Sequence, residues 1–350
     1  MSQRLVVLMM ALLVSVVLTV GPVLAQEARD RVELTSGAFV NGKVLEESWK
    51  GVKLDKDLDG KADEVIALDK VKDIVYGDQP KYMKDAILLR PKADQQQEYI
   101  DTLKRAYFDK TSSKWILQHA YYDIAKEYEK LSVTNGDYVP KTLEAYQKLL
   151  DDIPDSRYAP QLRTDLGDMF LARGELEQAR KNFQGAIGSG FGPDIETKAR
   201  FRQAETFLIE NKPDQADSIL TQVKTEGLGL AVETQLTVMK ADVMAARGQY
   251  DKAYETLTGV LSGRKAASIE PQAYMVLGDV FRLQDKPQEA LLSYLRVHLM
   301  YEDVDPVTHA RALVGAIKVC KRLNRKDEAR ELQSELEKAF PGSLWESKLN

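Results

Sequence analysis

The chain has 350 residues, 44% of them hydrophobic and 29% charged, with a net charge of −5 at pH 7. That is the composition of a folded protein too long for one ordinary compact core. A single cysteine, Cys320, excludes an internal disulfide framework and a cysteine-rich metal site, and the acidic balance disfavours general nucleic-acid binding, which needs clustered Lys and Arg against phosphate.

The N-terminal stretch is Arg4, then an uncharged and almost wholly apolar run from Leu5 to Val20, then a Gly21-Pro22 break and Val23-Leu24-Ala25. A positive residue, an apolar segment and small or short residues at the −3 and −1 positions read as a secretory signal over residues 1–25. The competing reading is an uncleaved anchor, since the apolar run approaches the length of a membrane span. No cysteine follows Ala25, which argues against lipid attachment. An exported protein is expected, periplasmic or extracellular, at the cell envelope.

Residues 26–78 read as all-β. Val32 and Leu34 alternate in one run, Val52 and Leu54 in another, Ile66 and Leu68 in a third, and Val71, Ile74 and Tyr76 close the segment. Ser36-Gly37, Asn41-Gly42, Trp49-Lys50-Gly51 and Asp57 to Gly60 supply turn chemistry between them. The phrase Val32 to Gly37 followed by Gly42-Lys43-Val44 resembles the start of Sm-like or SH3-like barrels, in which a second glycine lets strand two bend. Asn41-Gly42 equally fits a type I′ hairpin turn. A small β-barrel is the expectation.

One loop has two readings. Asp55, Asp57, Asp59, Gly60 and Asp63 match the first half of a calcium loop, with oxygens at alternate positions and glycine at the sharp turn. The twelfth position is Ile66, not a bidentate Glu, and the flanks read as strands. The other reading is a polar hairpin tip.

Residues 79–112 form a connector, broken at Gly77 to Pro80 and at Arg90-Pro91. Tyr99, Leu103, Ala106 and Tyr107 recur at helical spacing, which predicts one helix between Ala93 and Asp109 that caps the repeats after it.

From 113 to 342 the sequence repeats itself, leaving a tail at 343–350. Thr142, Ala179, Ala216, Ala253 and Ala290 stand 37 residues apart, and Ala329 comes after 39. Gly167, Ala204, Ala241 and Gly278 precede the middle members by 12, each followed three residues later by Phe170, Phe207, Met244 or Phe281. A fixed period of this kind marks a solenoid built from one supersecondary unit. The run Leu166, Gly167, Phe170, Ala179, Phe183, Ala186 resembles the tetratricopeptide repeat, with small residues where two helices approach and bulky ones between layers. Ala125, Tyr128, Thr142, Tyr146, Leu149 and Pro154 fill the first copy, and Cys320, Ala329, Leu336 and Pro341 the last. The resemblance covers about six repeats and departs from the family in its longer period. It implies an all-α solenoid of helix pairs wound as a right-handed superhelix, so that with the small N-terminal β-barrel the chain is expected to be α+β and multidomain. The extra residues are expected between repeats, at Gly190 to Pro193, Glu226 to Gly229 and Ser262 to Arg264, with an insertion in the first repeat between Val133 and Pro140.

No nucleophile elbow, phosphate loop or dinucleotide fingerprint occurs. His119, His298 and His309 share no metal-ligand spacing and read as structural, and Cys320 reads as an inert core thiol. No enzyme and no cofactor are expected. The resemblance instead implies a groove. Its residue after the small slot is Asp168, Glu205, Asp242 and Asp279, with Lys126 and Lys318 in the flanking repeats. Thr164, Phe201, Val238 and Met275 lie one helical turn earlier on the same face, and Gln161, Lys198, Gln235 and Gln272 stand seven residues before the acids. An acidic, partly apolar channel for an extended or helical partner segment carrying Lys or Arg is the expectation, against a reading in which the acids only bond their neighbours or water. The resemblance points to a protein–protein scaffold, with Asp152 to Ser156 similar to a phrase of envelope repeat proteins. A glycan-binding array is the alternative, for which Trp49, Trp115 and Trp345 are the unassigned aromatics.

Overall fold

The computed structural model describes residues 29–89, 95–263 and 267–349. The signal expected at residues 1–25 lies outside them. Two compact units are present, one with its described part at residues 29–46 and 52–80, the other at 47–51 and from 81 onward.

The first unit is an antiparallel sheet of β1 (Asp30–Leu34), β2 (Phe39–Ser48), β3 (Gly51–Asp55), β4 (Glu64–Ile66) and β5 (Val71–Val75), in the order β4-β3-β2-β1-β5. Period-2 alternation buries Val32, Val44, Val52, Leu54, Ile66, Val71 and Ile74. The expected barrel is open. Closing a sheet requires its end strands to pair. Here β4 is three residues long, and all three pair with β3. The chain then turns through Leu68–Lys70, and β5 pairs with β1 instead, Val32 opposite Ile74.

Asn41-Gly42 is not a turn but lies within β2; the β1–β2 turn is at Ser36-Gly37, where Gly37 has φ 85°. A Cβ on Gly42 would stand 2.5 Å from the Asp55 carbonyl oxygen, so this position needs a glycine for close approach. The 55–63 loop is the polar hairpin tip. Asp55 accepts backbone N–H bonds from Leu58 at 2.6 Å and Gly60 at 2.8 Å, and Asp63 accepts one from Lys56 at 2.6 Å. Asp59 accepts from Lys61 N–H at 2.8 Å, and Asp57 lies exposed beside them. These oxygens serve the turn's own amides, and among the described residues no His, Cys, Asp and Glu group is arranged to hold a metal ion.

The second unit is helical. Among the described residues of the connector, a helix α1 (Lys81–Ile87) precedes the one expected between Ala93 and Asp109, which is α2 (Gln96–Leu103), followed by a 3-10 turn at Lys104–Tyr107. Six helix pairs come next: α3 (Lys114–Thr134) with α4 (Val139–Asp152), α5 (Ala159–Ala172) with α6 (Leu176–Ala186), α7 (Pro193–Ile209) with α8 (Pro213–Leu220), α9 (Leu230–Ala246) with α10 (Tyr250–Ser262), α11 (Glu270–Leu283) with α12 (Pro287–Met300), and α13 (Pro306–Arg322) with α14 (Lys326–Ala339).

Within the last five pairs the turn is always three residues, and its middle residue is left-handed: Gly174, Asn211, Gly248, Asp285 and Asn324, with φ between 56° and 77°. The following N–H closes each turn onto the bulky column, Glu175 to the Phe170 carbonyl, Lys212 to Phe207, Gln249 to Met244, Lys286 to Phe281 and Arg325 to Cys320, at 2.8–2.9 Å. This is the Schellman stop, and Gly, Asn and Asp fill it because they best tolerate that backbone. The links between pairs are longer and variable. Six residues separate α6 from α7, carrying three left-handed glycines, and nine separate α8 from α9.

The small column lies at the helix contacts. Thr142, Ala179, Ala216, Ala253 and Ala290 are fully buried. A Cβ on Gly167 would stand 2.4 Å from the Phe183 ring, and one on Gly278 2.6 Å from Tyr294.

The C-terminal tail of this unit meets its first two repeats. Pro341, in the expected terminal proline slot, lies against Gly136, where an added Cβ would stand 3.2 Å away; Gly136 opens the 3-10 turn Gly136–Tyr138 that holds the first repeat's insertion. Beyond it a short 3-10 segment, Leu344–Leu349, returns to the α5–α6 turn.

Candidate functional site on the first-helix face of the repeats

The four expected acids lie one helix apart, on α5, α7, α9 and α11, and the structure binds them into one network through arginines. Arg202, on α7, places Nε 2.9 Å from Asp168 and donates from Nη1 to Glu205 at 2.9 Å. Its Nη2 pairs with Asp305, the residue that caps α13 by accepting the Thr308 N–H at 3.0 Å. Arg311, on α13, donates from Nη2 to Asp242 at 2.9 Å and to Asp279 at 3.2 Å, and its Nη1 stands 3.7 Å from Glu205. Arg282 adds a bond to Asp279 at 3.1 Å, and the Tyr294 hydroxyl donates to the same carboxylate at 2.7 Å. Lys198 pairs with Asp168 at 3.0 Å, and Lys126 with Glu129 in its own helix.

The electrostatics are those of a buried cluster. Glu205 is 1% exposed, and burial pushes its carboxyl above the usual range in spite of Arg202 and Arg311. Burial raises Asp242 as well, against the pull of Arg311. Burial also opposes charge on Asp305, but Arg202 and the Thr308 N–H and hydroxyl outweigh it and hold that carboxyl below its usual value. For Arg311 burial works against the charge; Asp242, Asp279 and Glu205 reverse it and raise the guanidinium above its ordinary value.

The expectation of an open acidic channel is corrected in three respects. Thr164, Phe201, Val238 and Met275 do not form an exposed stripe; all four are buried in the packing. The carboxylates Asp168, Glu205, Asp242 and Asp279 already face the chain's own cations. The amide margin is broken up as well. Gln161 is exposed and bonds Asp165 at 2.6 Å, Gln272 is buried, and Gln235 and Lys198 line a cavity.

Two cavities lie along this face among the described residues. One, of about 470 Å³, lies beside Arg311 and is walled by Asp242, Asp279, Arg282 and Lys318, by Leu208, Ala245 and Val314, and by the indole of Trp345. The other, of about 270 Å³, is lined by Lys198, Phe201, Arg202, Val232 and Gln235.

Arg311 was not among the expected site residues, although a signal existed. It follows Gln272 by 39 residues, the same step that separates Ala290 from Ala329, and so is the next rung of the Gln161 column. Arg202 has no such column. The histidines make side-chain contacts within the helical unit. His298 Nδ1 is 3.0 Å from His309 Nε2, and His298 Nε2 is 2.6 Å from Glu335, so helix packing joins two rings that sequence spacing did not relate. His119 bridges the buried Glu47 at 2.8 Å and the Tyr158 hydroxyl at 2.8 Å. Of the three unassigned tryptophans, Trp115 and Trp345 are buried, and Trp49 packs edge-on against Phe191.

No protein-family model and no curated protein matches the sequence. Among solved structures the chain is similar to a tetratricopeptide repeat protein from Parabacteroides merdae, at 12% identity and a TM-score of 0.54, over 77% of this chain and 96% of that one. Also similar, more distantly, are PilW, a type IV pilus biogenesis factor (17% identity, TM-score 0.38, 67% of this chain and 96% of that chain), and NprR solved with its cognate peptide NprX (13%, 0.41, 78% and 81%). The first of these likenesses establishes the helix-pair array as a tetratricopeptide-like solenoid, a statement about fold alone.

Proposed function

We propose that the protein is a non-enzymatic protein–protein interaction scaffold of the periplasm or cell envelope, receiving a partner segment on the first-helix face of its repeats. The observation that carries this reading is the cavity of about 470 Å³ beside Arg311, which joins apolar walls to charged groups of both signs. Ligand sites combine these features, an apolar lining with a few convergent polar groups. The Lys or Arg expected on the partner has less to bind than the sequence suggested, because the ladder's carboxylates are already engaged by Arg202 and Arg311, whereas the expected apolar anchors have apolar walls to meet. A segment with apolar anchors, and charges that complement a mixed surface, fits better.

The test is site-specific photocrosslinking in the native host. A crosslinking residue at Leu283, which lines the cavity, is compared with one at the exposed Lys252 on α10. A discrete envelope protein captured from position 283 and not from 252 supports the reading. Equal capture at both, or none at either, rejects it.

A further inference from the structure

The wall of the larger cavity contains a group that does not belong to the repeats. Trp345 sits in the tail, beyond the last helix, yet its side chain is 2% exposed and merges with the core of α5, α6, α9, α11 and α13. Its indole Nε1 donates to the carbonyl of Ala172, the last residue of α5. The preceding N–H, of Leu344, donates to the carbonyl of Arg173 at 2.7 Å, and Arg173 Nη2 donates back to the Gly342 carbonyl at 3.2 Å. The tail also runs close over Gly174, where an added Cβ would lie 3.4 Å from Leu344 Cβ.

The seat uses parts that every repeat possesses. Carbonyls at the end of a helix lack helical partners and accept from whatever arrives, and the left-handed residue after them keeps the approach open. The arriving piece is itself simple. It hangs from a Pro341-Gly342 turn, Gly342 having φ 65°, and holds on by one aromatic ring and a short stretch of main chain. Leu344, beside the anchor, stays half exposed. Recognition by one buried aromatic and a few main-chain bonds is how an extended peptide binds a preformed surface.

We propose that the seat of Trp345 is a peptide-recognition site, held in this chain by its own tail as a stand-in for a partner segment that presents an aromatic residue directly after an aliphatic one. The proposal rests on the scaffold reading above and names the partner's chemistry. A partner gains the seat by displacing the tail around Leu344 and Trp345, and its continuation enters the adjoining cavity.

The test uses a fluorescein-labelled peptide with the sequence of residues 341–350. It is titrated against the full chain, a chain ending at Phe340, and full-length Trp345→Ala, each checked for folding by circular dichroism. A tethered tail acts at an effective concentration on the order of millimolar, so a peptide that binds the empty seat at about 100 µM is weakened roughly tenfold by the intact tail. The expected result is binding to the truncated chain and to Trp345→Ala, at least about tenfold weaker binding to the full chain, and loss of binding when the peptide's Trp is replaced by Ala. Should the truncated chain fail to fold, Trp345→Ala decides alone. The proposal is overturned by a peptide that binds neither variant, by one that binds all three chains equally, or by a full-length dimer that Trp345→Ala abolishes, since that would assign the seat to a second copy. Absence of peptide binding together with a partner crosslinked at Leu283 would sink this proposal and leave the scaffold reading intact.

Discussion

Arg311 touches three carboxylates, Glu205, Asp242 and Asp279, each on a different helix, and removing it leaves all three facing one another. Breaking a buried ion pair from one side strands the remaining charge, which typically costs about 3–5 kcal/mol. Arg311→Met is therefore expected to destabilise the array on that scale in urea unfolding, and more than Glu205→Gln does, because the burial that raises the Glu205 carboxyl already favours its neutral form. The pH dependence has a definite sign. A carboxyl raised in the folded state disfavours folding while ionised and ceases to do so as pH falls through its folded pKa. Glu205→Gln should thus compare progressively less favourably with the parent between neutral pH and about 4.3, the unperturbed glutamate value. A difference that stays flat with pH would contradict the raised carboxyl. The left-handed turn residues give a cleaner backbone test. Asn211→Gly should be nearly neutral, whereas Asn211→Val forces a β-branched residue to φ 57° and should cost about 1–2 kcal/mol.

At the scale of the helix pair, packing is set by the small columns. Ala216 and Ala253 are fully buried, so Ala216→Leu or Ala253→Leu should overpack a helix contact at a cost of about 1–3 kcal/mol, read as a lowered melting temperature. This layer was legible in the sequence because the period of 37 residues keeps each residue of the pair in register with its counterparts. The left-handed column was present in the same period at Gly174, Asn211, Gly248 and Asp285, but three residue types share it and no one letter repeats. The sheet was less legible. Strand pattern and turn chemistry locate its elements, but closure depends on the length of β4 and on where β5 docks, and neither has a local signature. The acidic ladder is legible as a column, but its ion pairs are not, since one column does not show what faces it from other helices. Arg202 and Asp305 are 103 residues apart, and Arg311 and Asp242 are 69 apart. Those pairings arise from the winding of the array, which its variable links set.

At the scale of the whole array, the contacts between its two ends change how it should unfold. Solenoids held only by nearest-neighbour interfaces can fray repeat by repeat. Here the tail bonds to the α5–α6 turn, Pro341 lies against Gly136, and Asp305 pairs with Arg202, so the last repeat restrains the first three. Ending the chain at Phe340 should lower the urea m-value and separate the transitions seen by probes in the first and last repeats, where the full chain shows one. Coincident transitions in both chains would mean that the end contacts add nothing to cooperativity.

The reach of Arg311 across three earlier repeats also bears on how such a chain can change by duplication. A linear array gains or loses one repeat without disturbing the others, because every interface resembles the next. In this one, excising a single 37-residue period would preserve the local interfaces but bring the wrong carboxylates to Arg311 and move the α5–α6 turn away from Trp345. The repeat number is therefore constrained by charge and by closure, and extra length falls in the connecting segments, in the links between pairs and in the Gly136–Tyr138 turn inside the first pair.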